Sequence, residues 1–548
     1  MSRAATVERS GSRGWSGDLP IALLWGGAIF LVSLLPYFYA YATTPSGKVF
    51  NGFFFIADDA ATYISKMREG AEGAWGWSDR YITTPVAKPV LLFLFYIAWG
   101  KVAALLHIPL VAAYHLARLS GAVALVYAAR ALARAVLPEA YRGLGVLIAL
   151  LGSGTGYLLL VFTSLSGSGA VLGTRLEALD LHLPELGAFY SVLAIPHFAW
   201  AAALMAMSVL QLMAIARAAD RVGLMRPVLL ASIALLGLCL IHPQMLFVLA
   251  PLATLYLAMV RPPPVAWLAT AVPFIVCLPL LVYFLSVLGG DPVIVEWSRQ
   301  WKHQAPSFIS LVFGMGLPLA LAAYAIARGA YRGSPELALM AAWLLLVVAL
   351  LYIPNPVNIQ RRLVDGLYLP EAMLAAVGVG LLAQRLRRPR SRRRLVFSVV
   401  AVSAISSLVV FGLAFRFAAV REPIIYLDRG EVDAFTWLAG QRGTGTPPGV
   451  LSEAETGLFI PEMAGLRVYV GHYSETIDYQ VRARLARDAI RAGNPSLAAF
   501  MAGNDAIYLL VGPRERALGV GVIEPQLAKV YDAEGVQVYR LNLPAPGS

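Results

Sequence analysis

Apolar runs of about 18 to 25 residues, separated by short polar stretches, recur along almost the whole chain. They match the ~20 residues that a helix needs to cross ~30 Å of hydrocarbon. The predicted spans are 21–42, 111–136, 143–163, 188–216, 225–242, 244–260, 264–287, 306–328, 335–353, 364–385 and 395–418. Each span changes sides, so placing every Arg-rich connection in the cytoplasm fixes their number at about eleven. Those connections hold Arg130, Arg134 and Arg142; Arg217, Arg221 and Arg226; Arg261; Arg328 and Arg332; and the run RLRRPRSRRR from Arg385 to Arg394. Counting Pro89–Leu106 as a further crossing would carry Arg130, Arg134 and Arg142 outside. That segment is therefore predicted to be a juxtamembrane or re-entrant helix on the outer face.

After about residue 420 the pattern changes. GEVDAFTWLAGQ predicts an amphipathic helix, RVYVG and DAIYLLVG short buried strands, and KVYDAEGVQVYRL a hairpin. The fold class that follows is a polytopic α-helical membrane protein. It has about eleven transmembrane helices and an outer juxtamembrane helix in residues 1–420, with a long first external loop over 43–110, and a small α/β domain in 421–548. Parity puts the N-terminus in the cytoplasm and the C-terminal domain outside the plasma membrane. No internal repeat marks a solenoid.

Composition sharpens this picture: of 548 residues, 59% are hydrophobic and 14% charged, with a mean hydropathy of +0.68. The formal charge of +12 sits in short loops between spans, where it encodes orientation, so no nucleic-acid partner is expected. Cys239 and Cys277 fall inside spans, which predicts neither a disulfide framework nor a cysteine metal site. The basic start MSRAATVERSGSRG leads into an apolar run, Pro20–Ala42, without a small-residue cleavage pattern, and so predicts an uncleaved first span.

With this topology the unusual polar residues collect on the outer side. Asp58, Asp59 and Lys88 lie in the first external loop, and Glu185 and His197 at the outer start of the fourth span. His242 and Gln244 occupy the turn LIHPQM, and the last external loop adds Asn355, Asn358, Gln360, Arg361 and Arg362. Asp58 and Asp59 suit general-base chemistry, but they also suit capping of the helix AATYISKMREG. Neighbours on a helix point about 100° apart, so only one carboxylate faces a given substrate atom. Arg361 and Arg362 run against the charge bias, near a membrane where charge is costly, and imply an anion. Their forks suit phosphate, with Lys88 as an added point charge; snorkelling or pairing with Asp365 is the structural alternative.

His197 follows Pro196 and His242 precedes Pro243, positions where proline frees backbone groups and histidine serves as hydrogen-bonder, base or ligand. Glu185, the acidic pair and the two histidines are also candidate ligands for a divalent cation such as Mg or Mn, although no spacing such as HExxH supports one. In the C-terminal domain GHYSET places His472 and Glu475 on a loop straight after a strand. Trp75, Trp77, Trp200, Trp297 and Trp301 fall near the predicted outer interface, and most of them are predicted to be interfacial anchors.

A first span, an external loop with an acidic pair and a following Tyr63, the Lys88-Pro89 element opening a juxtamembrane helix, many spans and an external C-terminal domain together resemble the GT-C superfamily of polytopic glycosyltransferases. Within it the chain is similar to relatives of protein O-mannosyltransferases and aminoarabinose transferases. It is still more similar to an uncharacterised bacterial group that shares PHF, QRR and GHxxET-like runs. The resemblance implies inverting transfer of a sugar from a polyprenyl-phosphate donor to a glycan, protein or lipid acceptor at the outer face. It gives the base role to Asp58 or Asp59, and the donor phosphate to Lys88, Arg361 and Arg362. The family's lysine element is often Lys-Pro-Pro, whereas Val90 follows Pro89 here, which leaves Lys88 open. Glu185, His197 and His242 receive no role from it. Two other readings share the helical plan: a transporter or lipid flippase, and a non-catalytic envelope assembly protein. Transporters gather charges near the midplane of paired segments; here the charges gather at one end.

Overall fold

The computed structural model describes residues 18–542, apart from 85–87, 167–169, 172–173, 219, 301–302, 355–358, 494–495, 522 and 524. The basic N-terminal stretch, Trp301, Asn355 and Asn358 lie outside the described residues. Helix α1 (Leu19–Ala42) is followed by strand β1 (Lys48–Phe50), α2 (Ala57–Ala71), α3 (Leu94–Leu106) and α4 (Leu110–Val136). At 1.5 Å per residue α3 is ~20 Å long, too short to cross, as the charge pattern requires. It lies on α2 so closely that side chains are excluded at the crossing. A Cβ on Gly70 would stand 2.1 Å from the Ile97 carbonyl oxygen, and one on Gly100 1.8 Å from that of Met67.

Helices α5 (Glu139–Leu151) and α6 (Gly156–Ser166) form a pair bent by 43° at Gly152–Thr155, where one straight span was predicted. A small hairpin, β2 (Ala170–Val171) and β3 (Thr174–Arg175), and α7 (Leu179–His182) lead to α8 (Ala188–Ala194) and α9 (Pro196–Arg217). The predicted fourth span is thus broken at Ile195, because Pro196 has no N–H for the preceding turn. Three side chains satisfy the carbonyls it frees: Arg118 Nε bonds Val192 O at 2.8 Å, Tyr37 Oη bonds Leu193 O at 2.8 Å, and Tyr114 Oη bonds Ala194 O at 2.9 Å. His197 is thereby fixed at the first turn of α9.

The chain continues through α10 (Arg221–Ile241), α11 (Leu246–Val260), α12 (Pro264–Gly290), α13 (Pro292–Arg299), α14 (Phe308–Ala327), α15 (Pro335–Tyr352) and α16 (Tyr368–Gln384). Helices α17 (Pro389–Ser403) and α18 (Ile405–Ala419) form one long segment broken at Ala404. Among the described residues nine helices pass the length and hydropathy test for a span, or ten with the bent pair. The shorter apolar α16 accounts for the eleventh predicted segment. One boundary differs in an informative way: Pro389 opens α17, so Arg390 to Arg394 form its first turns instead of a loop. Cys239 and Cys277 are buried and free.

Strand β4 (Tyr426–Asp428) pairs antiparallel with β1, tying the first loop to the start of the C-terminal domain. There α19 (Arg429–Ala439), β5 (Gly449–Leu451), α20 (Ala454–Gly457), α21 (Ile460–Met463), β6 (Arg467–Val468), α22 (Tyr479–Ala492), α23 (Ser496–Gly503), β7 (Ala506–Val511), α24 (Pro513–Leu518), β8 (Leu527–Ala533) and β9 (Val536–Leu541) build a five-stranded mixed sheet of order β6-β5-β7-β9-β8. The predicted amphipathic helix, two buried strands and hairpin are α19, β6, β7 and β8-β9.

Candidate active site

Helix α2 starts after Ile56, whose φ of 53° is left-handed, a region a β-branched residue rarely adopts. No side chain caps its N-terminus. Asp58 and Asp59 instead occupy the first turn, where the helix dipole favours their charge. Their side chains are 30% and 27% exposed, which leaves the pair an open face. Against them packs His472, from the loop after β6, with Nε2 3.2 Å from Asp59 Oδ1 and 3.8 Å from Asp58 Oδ2. The Ser474 N–H donates to His472 Nδ1 at 3.3 Å. In the neutral ring the proton therefore sits on Nε2, facing the carboxylates.

The two aspartates are held in different states. Burial raises the pKa of Asp58 and its neighbour Asp59 adds to the rise, against a smaller opposing pull from His472. Burial pushes Asp59 upward too, but the close His472 contact and the charges of Arg362 and Lys66 bring it below its ordinary value. Asp59 therefore stays a carboxylate, and Asp58 is the better proton acceptor of the two.

One face of α2 carries Asp59, Tyr63 and Lys66, at i, i+4 and i+7. Lys66 is buried, its Nζ 2.7 Å from Glu475 Oε1 and 3.1 Å from Thr62 Oγ1, and 4.1 Å from the centre of the Phe93 ring. Trp297 Nε1 donates to the other oxygen of Glu475 at 3.0 Å. Two of the tryptophans predicted as interfacial anchors are thus interior. Trp77 and Trp297 are 3% and 2% exposed, because a desolvated ammonium and its carboxylate need an aromatic wall and an N–H donor. Trp75 is exposed, and Trp200 Nε1 donates to Ser120 Oγ at 3.2 Å. Both oxygens of Glu475 are thus engaged, one by Lys66 and one by Trp297.

The spans contribute a second group. Tyr63 stacks on Tyr96 at 4.3 Å, and Tyr96 Oη lies 2.6 Å from His197 Nδ1. The His197 ring meets His242 edge-on at 5.1 Å, and His242 Nδ1 lies 2.6 Å from Asp365 Oδ2. Asp365, the alternative partner for the two arginines, is thus committed to His242. Arg361 donates its backbone N–H to the His303 carbonyl at 3.0 Å, and its Nη2 lies 3.1 Å from His303 Nδ1. Burial and the two adjacent guanidiniums depress His303 to about 3, so its ring is a neutral acceptor. Arg362 lies over Phe198 at 5.8 Å, and its one ion pair among the described residues is a long 3.8 Å contact with Glu185. The Arg362 side chain keeps 26% of its surface exposed.

Three sequence candidates stand apart from this network. Lys88 is exposed and makes no hydrogen bond or ion pair with it among the described residues. Gln244 is half-buried beside His242 and shares no hydrogen bond with the group among the described residues. Gln360 is buried, with Oε1 lacking a partner. Among the described residues no group of three or more His, Cys, Asp or Glu is placed to hold a metal ion.

Solved structures share this arrangement of helices and appended domain. ArnT from Cupriavidus metallidurans, solved bound to undecaprenyl phosphate, matches with a TM-score of 0.52 at 12% identity, over 98% of this chain and 99% of that one. The chain has the GT-C fold. Two further structures agree. The arabinofuranosyltransferase AftD from Mycobacteria matches with a TM-score of 0.53 at 15% identity, over 96% of this chain but 41% of that one. The Archaeoglobus fulgidus oligosaccharyltransferase tethered with an acceptor peptide matches with a TM-score of 0.50 at 13% identity, over 95% and 75% of the two chains. No protein-family model and no curated protein sequence matches.

The GT-C fold gathers residues far apart in sequence at one end of the bundle: Asp58, Asp59 and Tyr63 from α2, His197 from α9, His242 from the α10–α11 turn, Arg361 and Arg362 before α16, and His472 from the domain. Sequence reading missed Lys66, Tyr96 and His303. The helical spacing of Asp59, Tyr63 and Lys66 carried a readable signal for the first. Nothing local marked Tyr96 or His303, whose partners lie 101 and 58 residues away.

Proposed function

We propose that the chain is an integral membrane glycosyltransferase that transfers a sugar from a polyprenyl-phosphate donor to a hydroxyl-bearing acceptor, with inversion at the anomeric carbon. The observation that carries this reading is the meeting of an open acidic pair and a weakly partnered guanidinium, Arg362, at the ends of spanning helices. A lipid-borne phosphate reaches that level while its tail stays in hydrocarbon. Asp58 accepts the acceptor's proton as its oxygen bonds the anomeric carbon. The bond from that carbon to the phosphate oxygen breaks, and the electron pair leaves with the polyprenyl phosphate. Arg362 and Arg361, backed by the buried charge of Lys66, stabilise the phosphate as its charge grows. Asp59, kept ionised by His472, orients the acceptor. The positive-inside rule, applied to the arginine-rich connections between spans, supports a site that faces away from the cytosol.

The likeness to ArnT supports the donor class, since that protein was solved with undecaprenyl phosphate. No step in this scheme is routed through a divalent cation. The purified chain, reconstituted with a sugar-labelled polyprenyl phosphate and candidate acceptors, should release polyprenyl phosphate and form the inverted anomer. Retention of configuration, or no turnover across lipid-phosphate sugars, would overturn the scheme.

A further inference from the structure

His197 and His242 are each 7% exposed, and each engages one ring nitrogen: Tyr96 Oη lies 2.6 Å from His197 Nδ1, and Asp365 Oδ2 lies 2.6 Å from His242 Nδ1. Among the described residues neither Nε2 has a hydrogen-bond partner, and neither is sealed from solvent. Two fixed imidazoles thus each keep one nitrogen for a ligand.

The partners set these two nitrogens to opposite polarity. Among the described residues the Tyr96 hydroxyl has no acceptor other than His197, so its proton points at a bare Nδ1. The ring proton of His197 then sits on Nε2, which is a donor. In the second pair one proton lies between a carboxyl and an imidazole, and it rests on the imidazole, the stronger base. His242 therefore donates from Nδ1 to Asp365, and its Nε2 is left as an acceptor. The two rings meet edge-on with centroids 5.1 Å apart, which puts the donor and the acceptor on neighbouring rings.

A hydroxyl suits such a pair, because its oxygen accepts one hydrogen bond while its hydrogen makes another. A phosphate or carboxylate oxygen only accepts, an ammonium only donates, and a metal ion needs two lone pairs. The position narrows the source of the hydroxyl. Tyr63, one turn after Asp59, meets the His197 ring edge-on at 5.4 Å. Phe198, over which Arg362 lies at 5.8 Å, is 5.5 Å from the His242 ring. The pair thus stands between the acidic first turn of α2 and the arginine that the transferase scheme gives to the phosphate, where the sugar of a lipid-phosphate donor has to lie.

We infer that His197 and His242 together bind one hydroxyl of the donor sugar, His197 donating to its oxygen and His242 accepting its proton. Tyr96 and Asp365 are positioning residues that fix the two tautomers. The inference rests on the transferase reading and adds a donor class to it: a sugar whose hydroxyl at the bound position is free, neither acylated nor replaced by an amine.

The test is donor binding by the full chain in nanodiscs, measured with undecaprenyl phosphate alone and with undecaprenyl phosphate carrying glucose, mannose or arabinose. Wild type should hold at least one of the glycosylated lipids about tenfold more tightly than the bare lipid, the scale of a hydrogen bond whose loss strands a buried partner. His242→Phe and His197→Phe, which keep a ring in the aromatic cluster, should each lose that preference and keep the affinity for bare lipid. Affinity for bare lipid also reports folding, so either variant suffices if the other folds poorly. On wild type, removing the hydroxyls of the preferred sugar one at a time should cost about tenfold at a single position, and fluorine there, which only accepts, should not restore binding. Wild type that gains nothing from any of the sugars, a preference that survives in either folded variant, or full rescue by fluorine would each overturn the histidine site alone. No affinity of wild type for the bare lipid would overturn the transferase reading and this site with it.

Discussion

His472 Nε2 lies 3.2 Å from Asp59 Oδ1, so a histidine of the C-terminal domain touches the acidic pair of the first loop across more than 400 residues of chain. The contact is one reason the Asp59 pKa falls below its ordinary value. Without the imidazole, Asp59 takes up a proton at higher pH. His472→Ala is therefore expected to lower kcat/KM by less than the ~10²–10⁴-fold that a positioned acid or base itself contributes, and to move the acid limb of the pH–rate profile upward. A domain contact that only supports folding would lower activity without moving that limb.

Arg362 is expected to be felt in donor binding. Arg362→Ala should raise the donor Kd by about 10- to 100-fold, corresponding to ~1.5–3 kcal/mol for a hydrogen bond to a charged group. Arg362→Lys should fall between, since it keeps the charge and loses the fork. Donor titration of the purified variants reads this directly, and unchanged affinity in both would remove Arg362 from the site.

The pairing of Lys66 with Glu475, whose side chains are 2% and 6% exposed, makes a stability prediction. Glu475→Ala leaves a buried ammonium alone and should cost ~3–5 kcal/mol, whereas the double change Lys66→Met with Glu475→Leu should cost much less. Thermal unfolding of the two variants in detergent checks this. An equal loss in both would mean that the ion pair itself is not what the fold depends on.

Much of this architecture was legible in the sequence, because membrane spans are written in long apolar runs and arginine placement. Hydropathy located the eleven segments, and charge parity kept α3 out of the count. The break at Ile195 escaped notice because apolar residues continue on both sides, and only Pro196 signals it. The one-sided grouping of Asp58, Asp59, His197, His242 and Arg362 followed from parity alone. Their partners did not: Asp365 lay within reach of the arginines in sequence, yet folding gave it to His242. Trp77 and Trp297 resembled interfacial residues until the buried Lys66 explained their place.

The decisive measurement is single-turnover sugar transfer by Asp58→Asn and Asp59→Asn, paired with donor binding on the same preparations. Asp58→Asn should lose ~10²–10⁴ in rate, the usual contribution of a positioned base, while its donor Kd stays within a few-fold of wild type. Full transfer in both variants would contradict a carboxylate base at this site.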